Sequence, residues 1–427
     1  MNNPAQLTSD PAALRENHPR RRAQASAYFQ PIHRLQKWIE QHDYSGAEPY
    51  DVLNSPFLQG RWARRRWIAP WIIQFGRRFG GSWLRHCLRV GPSLNPKALT
   101  LCLLAYCDLH RMGENSTERA MLVKEKLIAL RSPQEQLFAW GYDWDFVSLR
   151  GSILQKFHPN CIATCFCAMA FLEMAAIFGD AQSERIAHSA VQFLARRLNR
   201  SIDTSQHVCF SYTPDDFTCI YNSSALAGSL LARVGADLHS AEYLSLARRS
   251  MSYLADQQAP DGSWAYGAGH MQKWIDGFHT GYNLCALLDY RNSTGDVRFD
   301  RQIDLGYEFY KNTFFRPDGA PKYFHNSLYP IDIHSCSQAV LTFCAFRDRD
   351  TEALQWAQRS ADWTLQNMLS SEGTFFYQRH LFRVDHTPYM RWGQAWMFRA
   401  LAQLQYVMDC VENNVDTLST MPKIRES

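Results

Sequence analysis

Apolar and polar positions along the chain follow a pattern that recurs at five points. Each time, an amphipathic segment ends at a turn, aromatic residues follow, and a second segment opens with polar or small residues. The run QQAPDGSWAYGAGHMQKWIDGFHTG, at 257–281, shows the pattern most fully. Its Asp-Gly turn ends the first helix, because glycine adopts positive φ at little cost. Equivalent points fall at His158, Asn222, His279, His334 and Arg391, in steps of 64, 57, 55 and 57 residues.

The apolar periodicity predicts two sets of helices that alternate along the chain. The inner set, which is rich in small residues, is Asn95–Met112, His158–Phe178, Tyr221–Val234, Phe278–Asn292, Asp332–Phe346 and Pro388–Asp409. The outer set, which is charged on one face, is Ala23–Gln41, Ser116–Arg131, Gln182–Asn199, Ser240–Gln257, Arg298–Thr313 and Thr351–Leu369. Two helices per repeat of this length describe a closed ring of hairpins better than a short-repeat solenoid. The predicted fold is all-α, an (α/α)6 barrel.

Composition sets the domain organisation and the expected location. The 427 residues contain no linker rich in Gly, Pro or Ser. Residues 23–410 are therefore predicted to form one domain between a flexible N-terminal tail, 1–22, and a C-terminal tail, 411–427. No secretory signal is recognisable, and no uninterrupted apolar run approaches about 18 residues. The chain is therefore expected to lack a spanning helix and to be cytoplasmic.

Charge and cysteine usage indicate no metal, cofactor or nucleic acid. The formal net charge of +4 is too small to indicate nucleic acid by itself. Twelve cysteines over this length do not indicate a disulfide scaffold, and several of them lie at apolar helical positions where buried thiols are expected, such as Cys102, Cys107, Cys344 and Cys410. Cys161, Cys165 and Cys167 do not have the paired spacing of a zinc site. No phosphate-binding loop or nicotinamide fingerprint is present, so no metal or cofactor is expected.

One segment combines arginine with tryptophan. Residues 52–107 contain no Asp or Glu, and Arg61–Arg89 holds eight arginines interleaved with four tryptophans. One interpretation is a peripheral site for an anionic membrane surface, at the inner face of the membrane, since indole lies among the headgroups and guanidinium pairs with phosphate. The other is a structural helix that packs its tryptophans on the ring while arginine faces water. Both stay open at this point.

Several longer runs resemble a known family. WIDGFHTGYNL, PKYFHNSLYPIDIHS and PYMRWGQAWMFRAL, with GYDWDF and CFSYTPDD, are similar to a bacterial and archaeal family found with exopolysaccharide and surface-glycan biosynthesis proteins. The resemblance covers roughly residues 30–410. More distantly the chain resembles the helical domain of D-glucuronyl C5-epimerase, unsaturated-uronide hydrolases and N-acylglucosamine 2-epimerase. The resemblance implies an (α/α)6 toroid acting on an oligo- or polysaccharide, with uronate-containing and lipid-linked glycans as the candidates, and leaves the reaction open.

The starts of the inner helices are the predicted site. Free backbone N–H groups there favour an anionic group such as a sugar carboxylate or phosphate. Aromatic rings in the preceding loops can stack on pyranose faces or cap the hairpins. Predicted substrate-binding residues are Tyr142, Asp143, Trp144, Asp145, Arg150, Tyr212, Asn222, Trp264, Tyr266, Trp274, Tyr282, Lys322, Tyr323, Tyr377, Trp392 and Gln394.

The candidate catalytic residues are His279, His334, Asp276, Asp332, Tyr389 and Arg391. The two histidines occupy equivalent positions in successive repeats, each after an acid, and histidine transfers protons near neutral pH. Arg391 is the candidate for bidentate contact with a carboxylate. A C5-epimerase or lyase needs such a base and cation, and an epimerase needs a second proton donor.

Two alternatives to proton abstraction remain. A glycoside hydrolase needs one protonated and one ionised carboxyl group, and Asp143, Asp145, Asp276 and Asp332 are the available acids. A non-catalytic glycan-binding component of a synthesis complex would need no such pair. The sequence leaves all three open, with proton abstraction as the preferred hypothesis.

Overall fold

Helices alternate with loops along the part of the chain that the computed structural model describes. The described residues are 27–58, 60, 62–63, 65, 67–79, 82–147 and 153–413. The predicted N-terminal tail, residues 23–26 of the predicted domain and residues 414–427 lie outside this part. The helices are α1 (Phe29–Gln41), α2 (Ala69–Phe79), α3 (Ser82–Cys87), α4 (Pro96–Arg111), α5 (Thr117–Ala129), α6 (Cys161–Phe178), α7 (Ala181–Arg196), α8 (Tyr221–Asp237), α9 (Ala241–Asp256), α10 (Gly277–Thr294), α11 (Asp300–Phe314), α12 (Ile333–Ala345), α13 (Ala353–Met368) and α14 (Trp396–Glu412).

The inner helices form a closed ring. Helices α4, α6, α8, α10, α12 and α14 each pack on the next, and α14 packs on α4 to close the circle. The outer helices α5, α7, α9, α11, α13 and α1 cover them from outside. The predicted (α/α)6 barrel is confirmed, and most helices of the ring match their predicted segments within about three residues at either end. The exceptions are α1, which begins at Phe29 rather than Ala23, and α14, which begins at Trp396 after a π-helical turn rather than at Pro388. The repeat length was therefore a sound guide to the fold.

Helix α6 meets the length and composition criteria for a membrane span. It is 18 residues long and, within the described residues, the one helix apolar enough by length and composition to cross a membrane. Two-thirds of it (67%) is buried inside the ring. A helix that is hydrophobic all round belongs equally to the core of a large protein, which is where α6 lies.

Short antiparallel strands tie the loops together. The pairs are β1 (Ser45–Gly46) with β2 (Ser93–Leu94), β3 (Phe146–Val147) with β4 (Ile153–Leu154), and β5 (Arg200–Asp203) with β6 (Val208–Phe210). A three-stranded sheet joins β7 (Ile331–Asp332), β8 (Gln378–Arg379) and β9 (Val384–Asp385). Strand β7 runs directly into α12, so this sheet fixes the start of an inner helix.

Side-chain caps set where several inner helices begin. Asn95, Asn160, Asp276 and Asp332 each accept a hydrogen bond from a backbone N–H in the first turn that follows. Such caps satisfy donors that a helix leaves unpaired at its N-terminus. The last inner helix is entered differently, through a buried π-helical turn at Met390–Ala395. This end of the ring collects the predicted site residues.

Candidate active site

Six polar side chains meet at the inner-helix N-termini, and we call them the hub. Their links are hydrogen bonds, ring contacts and electrostatic interactions that run from one member to the next. The hub consists of Glu48, Lys97, His279, Tyr282, His334 and Arg391. All but His279 are buried. The predicted His279, His334 and Arg391 are thus brought together, with the predicted binding residue Tyr282.

His279 is oriented by the cap of its own helix. Its Nδ1 lies 2.7 Å from Oδ2 of Asp276, and its backbone N–H donates to Oδ1 at 2.9 Å. Trp274 Nε1 also donates to Asp276 Oδ2, at 2.9 Å. With its Nδ1 proton donated to the carboxylate, a neutral His279 presents the Nε2 lone pair as an acceptor. The side chain keeps 19% of its surface exposed, so this nitrogen can serve as a general base.

His334 belongs to a different hydrogen-bond chain. Lys97 Nζ lies 3.3 Å from the Tyr282 hydroxyl, which lies 2.7 Å from His334 Nε2. Burial holds the pKa of His334 well below its usual range, and the nearby charges of Lys97 and Arg391 lower it further. Burial likewise holds the pKa of Lys97 well below its usual range, with repulsion from Arg391 adding to it. The Tyr282 hydroxyl therefore links the buried Lys97 amine to the His334 imidazole in one hydrogen-bond chain.

Tyr282 stands between the two imidazoles. Its ring centroid lies 6.0 Å from that of His279 and 6.0 Å from that of His334. Burial raises the pKa of Tyr282 well above its usual range, so its hydroxyl keeps its proton in the resting protein. The hub thus places a carboxylate-oriented base and a buried proton donor next to each other on one inner helix, α10.

Arg391 is held by an acid that the sequence did not reveal. Its Nε and Nη2 both lie 2.9 Å from Oε2 of Glu48, in the loop after α1. The guanidinium lies over the rings of Trp392, Trp144 and Tyr142, at 5.1 Å, 5.6 Å and 5.9 Å. Glu48 thus contacts two of the three guanidinium nitrogens, and bidentate contact of Arg391 with a substrate carboxylate stays a prediction. Arg391 also sits in the π-helical turn, a feature frequent at functional sites.

The Glu48 carboxyl group predicts a pH dependence of stability. Burial raises its pKa from the ordinary 4.5 to about 7, outweighing Arg391, and Asp51 raises it further. Its contribution is therefore fully present below about pH 4.5 and is lost as pH rises through about 7, by up to ~3 kcal/mol. Urea unfolding between pH 4.5 and 8 should show this loss in the parent protein and not in Glu48→Gln. Parallel curves for the two proteins would contradict it.

Aromatic residues form one wall beside the hub. The hydroxyl groups of Tyr142 and Tyr212 form a hydrogen bond of 2.9 Å. The rings of Tyr142 and Trp144 are stacked, with centroids 5.0 Å apart and an interplanar angle of 9°. Tyr266 stacks on Trp274 at 4.4 Å and lies 4.5 Å from the His279 ring. Tyr142, Tyr212, Tyr266 and Trp274 all keep partly exposed surface. The structure therefore groups these predicted binding residues, with the buried Trp144, beside the hub.

Asp332 does not repeat the arrangement of Asp276. Its Oδ1 accepts hydrogen bonds from the His334 backbone at 2.8 Å and from Trp392 Nε1 at 2.9 Å, and its Oδ2 accepts one from Gln378 at 2.6 Å. The His334 ring turns away to Tyr282 and packs 4.7 Å from Trp392. Asp332 therefore does not orient the His334 imidazole, because its carboxylate caps α12 and bonds Trp392 and Gln378 instead.

The acids of the 141–146 loop are engaged by one lysine. Asp143 forms an ion pair with Lys156, and Asp145 accepts a hydrogen bond from the Lys156 backbone at 3.0 Å. Arg150, predicted to bind substrate beside them, lies outside the described residues. These contacts hold both acids in the loop beside the aromatic wall, outside the hub.

Three other predicted residues lie at the edge of the site. Tyr323 contacts Phe278 edge-on at 5.5 Å, and its pKa is raised by burial, with the charges of Asp276 and Asp332 adding. Lys322 precedes it and is partly exposed. Asn222 is buried in the first turn of α8, and its Oδ1 has no hydrogen-bond partner among the described residues.

Three further predicted residues make their contacts around the π-helical turn that precedes α14, namely Gln394, Tyr377 and Tyr389. Both amide atoms of Gln394 bond the Phe375 backbone at 2.8 Å. Tyr389 packs edge-on against Tyr377 at 4.9 Å, and burial raises its pKa, with the charge of Asp385 adding. These contacts hold the π-helical turn, and the catalytic role of Tyr389 and the binding role of Gln394 stay predictions.

Trp264 lies away from the hub, between two outer helices. It is buried, its Nε1 donates to the Leu254 carbonyl at 2.9 Å, and its ring lies against Gly306 of an outer helix. Those contacts fasten α9 to α11. The sequence could not make this distinction, because Trp264 and Trp274 share one aromatic loop and differ only in which way the chain turns them.

The structural role of Trp264 gives a direct prediction. Trp264→Phe should lower the free energy of unfolding by about 1–2 kcal/mol, because it loses one buried hydrogen bond and part of the ring. Urea unfolding measures this loss. Ligand binding by the folded variant should be unchanged. A variant of parent stability that binds ligand more weakly would return Trp264 to the site.

Sequence reasoning missed Glu48 and Lys97. Lys97 had a signal, since it is the only charged residue of the apolar run 90–107 and directly follows Asn95-Pro96. Glu48 had none, because its link to Arg391 joins residues 343 positions apart. A pairing at that separation depends on closing the ring.

Several buried polar atoms at this end of the ring lack protein partners among the described residues. They include Glu48 Oε1, Trp144 Nε1, Asn222 Oδ1, His334 Nδ1 and Ser335 Oγ. Buried polar groups are nearly always hydrogen-bonded to protein, water or ligand. Their concentration around the inner-helix N-termini therefore indicates that this end of the ring receives solvent or a polar ligand.

Solved structures with the same fold were found by comparison of coordinates. The chain is similar to cellobiose 2-epimerase from Bacillus thermoamylovorans, at 13% identity and a TM-score of 0.57, over 74% of this chain and 87% of that one. It is similar to an unsaturated glucuronyl hydrolase specific for heparin, at 12% and 0.55, over 76% and 89%. It is similar to the GH76 α-mannanase of Bacteroides thetaiotaomicron, at 11% and 0.56, over 76% and 89%.

These likenesses define the class of fold. No family model and no curated protein sequence matches the chain. At such low identities a structural match establishes architecture alone. The chain therefore has the six-hairpin (α/α)6 fold that an epimerase, a glucuronyl hydrolase and a mannanase also have.

Proposed function

We propose that this protein is a carbohydrate-active enzyme that abstracts a proton from a sugar carbon next to a carboxylate, as a uronate C5-epimerase or lyase does. One observation carries the proposal. The Asp276–His279 pair, at 2.7 Å, lies beside the Tyr282–His334 pair, also at 2.7 Å, within one hub. Proton abstraction needs a poised base, and epimerisation needs a second group that returns a proton.

The hub residues divide this work among them. His279 Nε2 would take the C5 proton, and Asp276 would stabilise the resulting imidazolium. In epimerisation the Tyr282 hydroxyl would return a proton to C5 and recover one from Lys97, whose Nζ lies 3.3 Å away. In elimination the electron pair left at C5 would instead form a double bond to C4 and expel the C4 substituent.

Charge favours an acidic sugar over a neutral one. Lys97 and Arg391 are both buried at the hub, and Glu48 is the acid that contacts Arg391. Burial depresses the pKa of Lys97, and a substrate carboxylate would favour its protonated form. The same cation would then stabilise the charge that develops when the C5 proton leaves.

The hydrolase alternative finds less support. It needs a carboxylic acid and a carboxylate flanking one glycosidic bond. Asp276 and Asp332 are buried acceptors of three or more hydrogen bonds each, and Asp143 is paired with Lys156. Sugar-acting proteins among the structural neighbours support a saccharide substrate in general. Association with surface-glycan synthesis and with lipid-linked sugars stays a prediction.

Solvent exchange tests the proposal. The protein is incubated in D2O with a panel of oligouronates, and deuterium at C5 is followed by NMR and mass spectrometry. Exchange at C5, with inversion or with an unsaturated product, is the expected result. Cleavage to saturated products without exchange would make the protein a hydrolase. Saturable binding with neither reaction would make it a glycan-binding component.

A further inference from the structure

The tryptophans of the basic segment are more exposed to solvent than the other tryptophans of the chain. The segment exposes Trp62, Trp67, Trp71 and Trp83 to between 52% and 77%. The other nine tryptophans of the protein are buried or partly buried. The interpretation in which these tryptophans pack on the ring is therefore wrong for the described residues. Monomeric soluble proteins rarely expose so much apolar surface without a binding role.

Helix α2 exposes its large aromatic residues although its other face is already packed. Its Ala69 and Ile73 rest on Val52 and Leu53, in a small cluster separate from the barrel core. Trp71 and Phe75 are exposed one turn apart, and the helix therefore already has its core contact on one face. The exposed face carries the larger aromatic residues, which is the reverse of an ordinary surface helix.

The charge of the segment is uniformly positive. No Asp or Glu occurs between residues 52 and 107, against nine lysines and arginines. The Arg65 guanidinium lies 6.0 Å from the Trp67 ring, and that of Arg89 lies 5.6 Å from Phe57. Arg85 differs, since it is bound to Asp51 at 2.6 Å and 2.7 Å and serves the fold. Arg65 and Arg89 are both exposed beside aromatic rings.

We propose that Trp62, Arg65, Trp67, Trp71, Trp83 and Arg89, the tryptophan–arginine surface, bind the protein to the face of an anionic phospholipid membrane. Indole rings lie at the depth of the headgroups, where one side is apolar and the other wet. Arginine next to them pairs with lipid phosphate. This combination fits a lipid surface better than it fits a protein partner, whose contact would need acidic residues facing the arginines.

Segments of the chain outside the structure are poor candidates to cover this surface. Residues 1–26 contain two leucines and no aromatic residue, and their four arginines outnumber two acids. Residues 414–427 carry two acids and two basic residues. Neither offers the negative charge or the apolar area that the tryptophan–arginine surface would require.

Vesicle co-sedimentation tests the proposal with the full-length protein. Binding to vesicles of phosphatidylcholine mixed with phosphatidylglycerol is expected, with little binding to phosphatidylcholine alone and a decrease in added salt. Trp67→Ser with Trp71→Ser, and separately Arg65→Glu with Arg89→Glu, should weaken binding by about tenfold or more. Circular dichroism and thermal unfolding should match the parent protein, because all four side chains are exposed.

Matched controls remove the same chemistry from other places. Phe217→Ser with Phe382→Ser takes away two aromatic rings exposed to 72% and 94%, and Arg185→Glu with Arg248→Glu reverses two exposed arginines. Both controls should bind vesicles as the parent does. Equal binding by the surface variants and the parent would overturn the proposal, as would equal binding to neutral vesicles.

Two further results would assign the surface to another partner and also overturn the proposal. One is tighter binding to a single-stranded oligonucleotide than to anionic vesicles at the same salt, lost in the surface variants. The other is a concentration-dependent dimer without vesicles, seen by analytical ultracentrifugation and lost in Trp67→Ser with Trp71→Ser. Uronate turnover is measured in parallel on soluble oligosaccharide, where the surface variants should equal the parent.

Discussion

Replacing His279 by alanine is expected to lower the rate of C5 deuterium exchange by about 10²–10⁴-fold, the usual contribution of a positioned general base. The side chain is partly exposed at 19%, so its loss should leave the fold intact. Exchange measured under saturating oligouronate isolates the chemical step. A rise in KM with unchanged kcat would instead describe a residue that only binds substrate.

Two variants sharpen this prediction. Asp276→Asn keeps an oxygen to cap α10 but cannot stabilise an imidazolium, so it should lower kcat by about 10²-fold and leave KM near the parent value. His207→Ala is the matched control, because His207 makes the same contact with an acid, 2.7 Å from Asp256, on the outside of the ring. Parent activity in His279→Ala, or an equal loss in His207→Ala, would contradict the assignment.

Replacing Arg391 by alanine is expected to lower the free energy of unfolding by about 3–5 kcal/mol, since it leaves Glu48 buried without its cation. Both residues are almost inaccessible to solvent, at 6% and 1% of their side-chain surfaces. The loss should be larger at pH 8 than at pH 5, because Glu48, with a pKa raised to about 7, is protonated in the acidic range. Urea unfolding at the two pH values measures both effects.

A double variant tests whether the pair itself is responsible. Arg391→Met with Glu48→Gln removes both charges, so it should be markedly more stable than Arg391→Ala at pH 8. Arg185→Ala, at an exposed position, serves as the control and should change stability by less than about 0.5 kcal/mol. A loss below about 1 kcal/mol for Arg391→Ala would show that the ion pair is not buried in solution.

The repeating pattern was enough to predict the ring. The repeat length, the alternation of inner and outer helices and the small residues of the inner helices are local properties. Each of them can be predicted from the order of residues along the chain. His279 and its Asp276 were found for the same reason, since the acid and the imidazole are three positions apart in one helix start. Asp332 and His334 look equivalent in the sequence, but they are only two positions apart. At that spacing the His334 backbone N–H bonds the carboxylate, and the imidazole points away from it.

The remaining features depended on distant parts of the chain. Sequence position could not separate the buried Trp264, which joins two outer helices, from Trp274, which bonds Asp276 in the site. Nor could it show which side of α2 faces solvent, although composition already indicated a basic, tryptophan-rich segment. Exposure is decided by what a neighbouring element covers, and only folded coordinates give that.

Local sequence patterns were sufficient to predict a closed ring of six helical hairpins and the end of that ring at which its polar residues gather. They were sufficient because helical periodicity, turns and caps are written in neighbouring residues. Only the tertiary structure decided that Lys97 reaches Tyr282 across 185 positions, and that Glu48 reaches Arg391 across 343. Those pairs form because ring closure buries polar and charged side chains, and a buried polar group must find a partner wherever the fold brings one.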